Sequence, residues 1–220
     1  IYLSKRTRDP LLRRSLIAPQ GSYIVATDSS QIEARLLAYI AGQTDVVDTF
    51  LNGKDVYIQM ATKIYKLPYE EIHRLSKTSE ATKDGKKMRS IAKECVLAMG
   101  YSMSADTFRN RMELAGNYEA AQMADKLVAI YRSSNSYISS FWQTCDNVLR
   151  QMIAGKKGRF GGANKDVFEF NGNKIKLLND TYLCYHNLRY TDNGRSIAYD
   201  TVKDGKWQTN RIFGGKFTEN

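Results

Sequence analysis

The chain has 220 residues, 42% hydrophobic and 25% charged, so it is long enough to bury one large core or two small ones. Lysine and arginine number 33 against 23 acidic residues, and the net charge of +10 favours a polyanionic partner: DNA, RNA or an anionic membrane surface. No run approaches the roughly 20 apolar residues that span a bilayer, and the N-terminus lacks the apolar core of a signal peptide. Three cysteines without paired metal-ligand spacing predict reduced, structural thiols in a soluble intracellular protein.

The first twenty residues combine two helix-breaking prolines with a cluster of basic side chains: Lys5, Arg6, Arg8, Arg13 and Arg14. A solvated basic arm is the ordinary interpretation of such a segment. Contact with a phosphate backbone is the alternative, because such contacts position a duplex without reading its sequence. Both interpretations stay open at this point.

An apolar run at residues 23–25, Tyr-Ile-Val, predicts a short buried strand that ends just before Asp28. Ser29 and Ser30 then favour a helix start, and apolar side chains follow at helical spacing: Ile32, Leu36, Leu37 and Ile40. A carboxylate at a strand end beside a helix N-terminus is a plausible metal or phosphate site. Aspartate is also a favoured capping residue, so a purely structural Asp28 is the alternative.

Helical patterns follow at residues 45–51 and 55–65, and a shorter one at 69–75 comes after Pro68. A polar, charge-mixed link covers residues 76–85. Further helix is predicted at 105–114 and at 118–153, the latter with a possible break near residues 133–135. The middle of the chain is therefore expected to be mainly helical.

Between the link and those last helices, Arg89, Lys93, Leu97 and Tyr101 recur at every fourth residue. Each step leaves only about 40° of rotation, so these four side chains, hereafter the ribbon, are expected to follow one side of a helix. Two cations one helical turn apart can bind one polyphosphate. A solvated helix face is the ordinary interpretation of such a pair.

After Gly155 the composition changes, and short aromatic and β-branched runs appear at 167–170, 174–177, 182–185, 196–202 and 207–213. The dipeptides Asn171-Gly172, Asn193-Gly194 and Asp204-Gly205 are typical of hairpin turns. We therefore expect an α+β fold, mainly helical at first and with short antiparallel hairpins in the C-terminal third.

Two of these stretches resemble motifs of the family A DNA polymerases, the DNA polymerase I class, in its phage-type form. Residues 28–33, Asp-Ser-Ser-Gln-Ile-Glu, are similar to the first catalytic motif, usually Asp-Tyr-Ser-Gln-Ile-Glu, with Ser29 in place of the tyrosine. The ribbon resembles the second motif, which lies on the long helix of the fingers. That motif usually has Phe or Tyr at the position of Leu97.

Two other segments support the resemblance. Residues 53–57, Gly-Lys-Asp-Val-Tyr, look like the family's Gly-Lys-Asp-Ile-His, with Tyr57 in place of a histidine that helps to hold the triphosphate in some members. Residues 214–220, Gly-Gly-Lys-Phe-Thr-Glu-Asn, are similar to the segment that leads to the third motif in phage-type members. That motif, usually His-Asp-Glu, occurs nowhere in the 220 residues.

The resemblance implies part of an antiparallel-sheet palm at residues 1–42, helical fingers at 43–155 and a hairpin-rich return towards the palm at 156–220. It also implies template-directed DNA synthesis, in which a primer 3′-hydroxyl attacks the α-phosphate of a dNTP. Two Mg²⁺ ions about 3.5–4 Å apart assist such an attack. The implied partners are primer-template DNA and dNTP, without a membrane, in the cytoplasm of a bacterial or phage-infected cell.

The resemblance also assigns roles to single residues. Asp28 is expected to be catalytic and to bind metal, together with the backbone carbonyl of Ser29, and Lys93 to protonate the pyrophosphate leaving group. Glu33 would favour deoxynucleotides. The expected nucleotide-binding residues are Gln31, Glu33, Arg89, Lys93, Leu97 and Tyr101. The expected DNA-binding residues are Arg13, Arg14 and Tyr101.

One carboxylate cannot hold both ions, so a complementing polymerase segment is expected to supply the second, and the isolated chain is predicted to be inactive. Two alternatives remain open at the level of sequence. A single-subunit RNA polymerase fragment is related in layout, although Gln31-Ile-Glu33 favours the DNA enzyme. A non-catalytic nucleic-acid-binding module would use the basic arm and the ribbon to bind phosphates generally.

Overall fold

A computed structural model of the protein describes residues 15–163, 167–191, 194 and 196–212. In these ranges α-helices come first: Ile32–Ala41 (α1), Thr44–Leu51 (α2), Val56–Tyr65 (α3), Tyr69–Lys77 (α4), Lys83–Met99 (α5), Ala105–Leu114 (α6), Tyr118–Gln122 (α7), Ala124–Ser134 (α8) and Ser136–Ile153 (α9). Strands follow: Lys157–Phe160 (β1), Phe168–Asn171 (β2), Lys174–Lys176 (β3), Tyr182–Cys184 (β4), His186–Thr191 (β5), Ser196–Lys203 (β6) and Lys206–Ile212 (β7). The predicted α+β class is confirmed.

The chain divides between Ile32 and Glu33 into two units. In the first unit, the strand predicted at residues 23–25 is wrong: the segment is irregular, and Tyr23 and Val25 are 93% and 83% exposed. A strand is stable only when a neighbouring strand pairs with its backbone and another layer covers its apolar side chains. No described segment pairs with these residues. Asp28 therefore lies in an irregular, exposed segment and not at the end of a strand.

Helix α5 lies at the centre of the larger hydrophobic core in the second unit. Its buried side chains include Ile91, Cys95 and Met99, and it packs against α3, α4 and α8. Gly85 allows the close approach of α4, because a Cβ built there would come within 3.0 Å of the carbonyl oxygen of Leu75. Each large apolar side chain buried in this way contributes about 1.5–3 kcal/mol. The position of α5 is thus fixed by the core.

Short polar side chains start three of these helices. The Asp55 carboxylate accepts the backbone N–H of Tyr57 at 2.9 Å at the start of α3. Thr82 caps α5 by accepting the N–H of Gly85 at 3.0 Å, and Ser104 caps α6. Such caps satisfy N–H groups that have no partner inside the helix. No helix in the described ranges is long and apolar enough to cross a membrane.

A second, smaller core joins helix α9 to the strands. Val148, Leu149 and Met152 of α9 pack with Phe170, Ile175 and Ile197. The strands form two antiparallel sheets, one with the order β1-β2-β3-β4 and one with the order β5-β6-β7. Antiparallel sheets suit this arrangement because one face can pack on a helix while the other faces solvent.

A two-residue turn connects β6 to β7. Asp204 and Gly205 have φ angles of 53° and 74°, as a type I′ hairpin turn requires, and Lys203 pairs directly with Lys206 across the ladder. The Asp204-Gly205 turn predicted from the sequence is thereby confirmed. Residues 202–211 are all exposed, so this end of the hairpin extends away from the second core.

Candidate nucleotide-binding site

The ribbon occupies one side of α5 and the turn that follows it. Arg89, Lys93 and Leu97 lie in the helix, whereas Tyr101 lies two residues beyond its end, with its N–H bonded to the carbonyl of Ala98 at 3.2 Å. Arg89 and Leu97 are half-buried, and Lys93 and Tyr101 are exposed. The core on the other side of α5 therefore determines the direction in which these side chains point.

Arg89 is held by an ion pair with Asp55, the residue that caps α3. Its Nε and Nη2 groups both donate to Oδ2 of Asp55, at 3.0 and 2.6 Å. Lys77 approaches the same oxygen at 3.2 Å. The guanidinium also lies 5.3 Å from the centre of the Tyr57 ring, at cation–π distance. Asp55 and Tyr57 thus orient the cation, and Lys77 shares the Asp55 carboxylate with it.

The Asp55 carboxylate is ionised and only 11% exposed. Partial burial raises its pKa, but the hydrogen bonds and charge of Arg89, a hydrogen bond from Lys77 and the N–H of Tyr57 outweigh that effect, so the pKa lies below its usual value. Burial, followed by the charge of Asp55, raises the pKa of Tyr57. Asp55 is a site residue that the sequence analysis did not identify; its position at the start of a helical pattern, where aspartate is a favoured cap, is the feature that could have indicated it.

Lys93 differs from Arg89 in having no partner within the described part of the chain. It is exposed and makes no ion pair or hydrogen bond with any residue in the described ranges. An ammonium group one helical turn from a fixed guanidinium can bind a second oxygen of the same polyphosphate. The structure therefore presents one oriented cation and one free cation side by side.

A cavity of about 280 Å³ lies beside the distal part of the ribbon. Glu33, Leu97 and Tyr101 all line it, together with apolar residues such as Leu37 and Ile138. A hydrogen bond with the Glu33 carboxylate, with lesser contributions from burial and charge, raises the pKa of Tyr101. The structure thus brings together three of the predicted nucleotide-binding residues, and the cavity has mainly apolar walls with the Glu33 carboxylate and the Tyr101 hydroxyl among its polar groups.

The predicted metal-binding residues lie in the first unit. Asp28 is exposed, and the backbone carbonyl of Ser29 accepts the N–H of Ile32 at 3.3 Å in the turn before α1. Gln31 is half-buried, with a left-handed φ of 57°. Oxygen donors suit Mg²⁺, which keeps several water ligands when a protein provides few. Within the described part of the chain, no group of three or more His, Cys, Asp or Glu side chains surrounds a possible ion.

Two predicted DNA-binding residues, Arg13 and Arg14, lie outside the described residues. The third, Tyr101, is 71% exposed, so its ring is available to a ligand. The cysteines take no part in the site. All three are free, and burial raises the pKa of the Cys95 thiol to about 12, which keeps it protonated.

Comparison with known proteins defines the family. The model for DNA polymerase family A matches residues 4–170, three quarters of the chain. The chain therefore belongs to DNA polymerase family A.

Individual relatives agree with this assignment. The thermostable DNA polymerase I of Thermus aquaticus is 36% identical over 118 residues, which cover 52% of this chain and 12% of that protein. The DNA polymerase of Bacillus phage SP02 is 23% identical over 216 residues, 96% of this chain and 32% of that protein. DNA polymerase I of Deinococcus radiodurans is 31% identical over 128 residues. The chain spans between 12% and 32% of the length of the first two relatives. No solved structure matches it significantly.

Proposed function

We propose that these 220 residues are the nucleotide-binding part of a DNA polymerase that adds dNTPs to a primer 3′-hydroxyl under the direction of a template. The observation that carries the proposal is the arrangement of Arg89 and Lys93 on α5, next to the cavity lined by Glu33, Leu97 and Tyr101. Membership of DNA polymerase family A supports it, as do relatives named DNA polymerase.

Arg89 and Lys93 bind the triphosphate in this proposal. Asp55 and Tyr57 limit the rotamers of Arg89, which lowers the entropy lost when a phosphate oxygen binds. Lys93 binds the phosphate that leaves and gives it a proton, which makes pyrophosphate a better leaving group. An ammonium without a carboxylate partner among the described residues is suited to that step because its N–H groups are available to a phosphate oxygen.

Glu33, Leu97 and Tyr101 would receive the sugar and base of the nucleotide. Leu97 provides apolar contact for the sugar, while the Glu33 carboxylate, close to the hydroxyl of Tyr101, crowds the 2′ position and favours a deoxyribose. Tyr101 lies beside the templating base, and Gln31 lines the minor-groove side of the new base pair. Arg13 and Arg14 would contact the phosphate backbone of the DNA.

Asp28 and the Ser29 carbonyl would hold divalent metal, which we propose to be Mg²⁺. Two such ions, when bound, activate the attacking hydroxyl and stabilise the leaving oxygens. A second carboxylate would come from a complementing polymerase segment. In this proposal residues 1–42 belong to the palm, 43–155 to the fingers and 156–220 to a return towards the palm. The enzyme acts in the cytoplasm of a bacterial or phage-infected cell.

Equilibrium binding of a fluorescent dNTP to the 220-residue chain, with Mg²⁺ present, tests the nucleotide site. Arg89→Ala and Lys93→Ala are each expected to raise Kd at least about tenfold, because each removes a charge-assisted contact to phosphate. Lys87→Ala is the matched control: Lys87 lies on another face of α5 and pairs with Glu119. It should leave Kd within about twofold.

Equal weakening by all three substitutions would contradict the proposal. It would indicate general attraction of polyanions, as in a non-catalytic nucleic-acid-binding module. Binding of ribonucleotides as tightly as deoxynucleotides would count against the proposed role of Glu33.

Asp28 is tested in the longer polymerase that contains this segment. Asp28→Asn should lower the rate of primer extension by about a thousandfold or more, since a metal ligand contributes several kcal/mol to the transition state. The affinity for primer-template DNA should stay within a few-fold. Parallel loss of DNA binding and activity would show instead that Asp28 is structural.

A further inference from the structure

The end of the β6–β7 hairpin, residues 202–207, is an exposed structure without an evident role in the nucleotide site. We call it the hairpin tip. Both of its faces are in solvent, and among the described strands β7 pairs only with β6, which makes it an edge strand. A two-stranded ribbon that extends from its core is only marginally stable and exposes edge groups able to bind a partner. The tip also lies beyond residue 170, where the match to the family model ends.

Trp207 gives the hairpin tip a flat aromatic surface. Its side chain is 63% exposed, which is unusual for tryptophan, and the opposite residue on β6, Val202, is 54% exposed. His186 contacts the indole with the two rings nearly perpendicular, at 86°, and their centroids 5.3 Å apart. This contact orients the indole but does not cover it. The exposed ring can therefore stack on another flat group.

Lys203 and Lys206 give the same tip its charge. They face each other directly across the ladder, where like charges destabilise a hairpin. Neither forms an ion pair with a residue in the described ranges. The two lysines against the one carboxylate of Asp204 leave the tip with a net positive charge. A bound anion would relieve the repulsion, so the tip is complementary to a polyanion.

We propose that the hairpin tip binds an unpaired strand of DNA, with phosphates on Lys203 and Lys206 and a base stacked on Trp207. Successive residues of a strand point to opposite faces, so Lys206 and Trp207 lie on opposite sides of the ribbon. The DNA strand would therefore pass over the turn, from the face with the lysines to the face with the indole. An indole can stack only on a base that is free of its neighbours, which selects single-stranded over duplex DNA. The choice of DNA, with the tip holding unpaired template, rests on the function proposed above.

Tryptophan fluorescence of the 220-residue chain tests the stacking. The protein has two tryptophans, and Trp142 is half-buried and stacked on Tyr131 at 6.3 Å. Trp142→Phe preserves a ring there and makes Trp207 the only tryptophan, so excitation that is selective for tryptophan reports on Trp207 alone. We expect oligothymidine of about 16 nucleotides, without dNTP or metal, to quench Trp207, and a duplex of equal length to have little effect. In the natural background, Trp207→Ala should raise Kd for the oligonucleotide about tenfold.

The salt dependence of binding tests the two lysines. Lys203→Gln with Lys206→Gln should reduce the slope of log K against log salt by about 1.4, at about 0.7 for each phosphate contact. The control, Lys66→Gln with Lys126→Gln, removes the same charge from exposed positions in the helical part and should leave the slope unchanged. Circular dichroism verifies that all variants are folded.

Unchanged Trp207 emission, equal quenching by duplex, or an equal slope change in the control pair would overturn the inference. If a complementing polymerase segment shifts the emission and DNA does not, the tip is a protein interface and the inference is also wrong. The two proposals can be separated because this titration contains no nucleotide. Retained dNTP binding without quenching rejects the hairpin tip alone, and quenching without dNTP binding rejects the nucleotide site alone.

Discussion

Helix α5 and the hairpin tip both present lysine side chains to solvent, but of the two only the helix packs against a core. One face of α5 is buried in the larger core, and Asp55 fixes Arg89 on another. The hairpin tip has no buried side chain and no partner for its lysines among the described residues. The helix can therefore hold a cation in a fixed position, but substitutions in the core on which it packs are poorly tolerated. The hairpin tip can instead adapt to a flexible ligand.

The largest expected difference between the two regions is in their contribution to stability. Ile91 of α5 is fully buried, so Ile91→Ala should lower the free energy of unfolding by about 2–5 kcal/mol. Val202→Ala, the matched aliphatic truncation in the hairpin tip, should change it by less than about 0.5 kcal/mol. Urea unfolding of both variants provides the values. Similar decreases in the free energy of unfolding for the two variants would mean that Val202 is packed in solution, and the proposed difference between α5 and the hairpin tip would be wrong.

Close packing between α4 and α5 predicts that Gly85→Ala lowers the free energy of unfolding, whereas helix propensity alone would predict an increase. Alanine normally stabilises a helix relative to glycine, by about 1 kcal/mol. At Gly85, however, a Cβ would collide with the carbonyl of Leu75, which already accepts the N–H of Thr82 at 2.9 Å. Gly85→Ala should therefore destabilise the protein by about 1–3 kcal/mol in thermal or urea unfolding. A stabilised variant would show that α4 and α5 are further apart.

The ion pair of Arg89 predicts a smaller, pH-dependent effect. Asp55→Asn should cost about 1–2 kcal/mol at pH 7, because a mostly buried charged hydrogen bond is lost. The folded protein lowers the pKa of Asp55, so its contribution is complete above the unfolded value, near pH 4, and disappears as pH falls through the lower folded value. The difference between wild type and variant should shrink below about pH 4.

The control for this titration is Asp48→Asn, which alters an exposed carboxylate that has no ion pair among the described residues. Its effect on the free energy of unfolding should be small and nearly independent of pH. A difference for Asp55→Asn that stays constant down to pH 2 would mean that the Arg89 pair does not form in solution.

The sequence predicted best those features that depend on local spacing. The ribbon falls on a helix because residues every fourth position share one side, and α5 starts at Lys83, a little earlier than expected, since Thr82 caps it. The Asp204-Gly205 turn forms because both residues tolerate a positive φ. In each case the information lies within a few residues of the chain.

Features that depend on distant partners could not be predicted in this way. The apolar run at residues 23–25 has the composition of a strand but no paired neighbour in the described ranges. Asp55 and Arg89 are 34 residues apart, and only the packing of α3 against α5 joins them. The Lys-Gly-Arg-Phe sequence of β1 lacks an alternating apolar pattern, and this strand forms because β2 pairs with it.

The central claim is that Lys93 on α5 takes part in nucleotidyl transfer. The most direct test is to measure kcat/KM for dNTP in the longer polymerase that contains this segment. Lys93→Ala should lower kcat/KM by about 10²–10⁴-fold, because both a phosphate contact and a proton donor are lost. Lys87→Ala, on the same helix, should lower it by less than about twofold. A Lys93→Ala polymerase that retains wild-type kcat/KM, or a Lys87→Ala polymerase that loses as much, would contradict the claim.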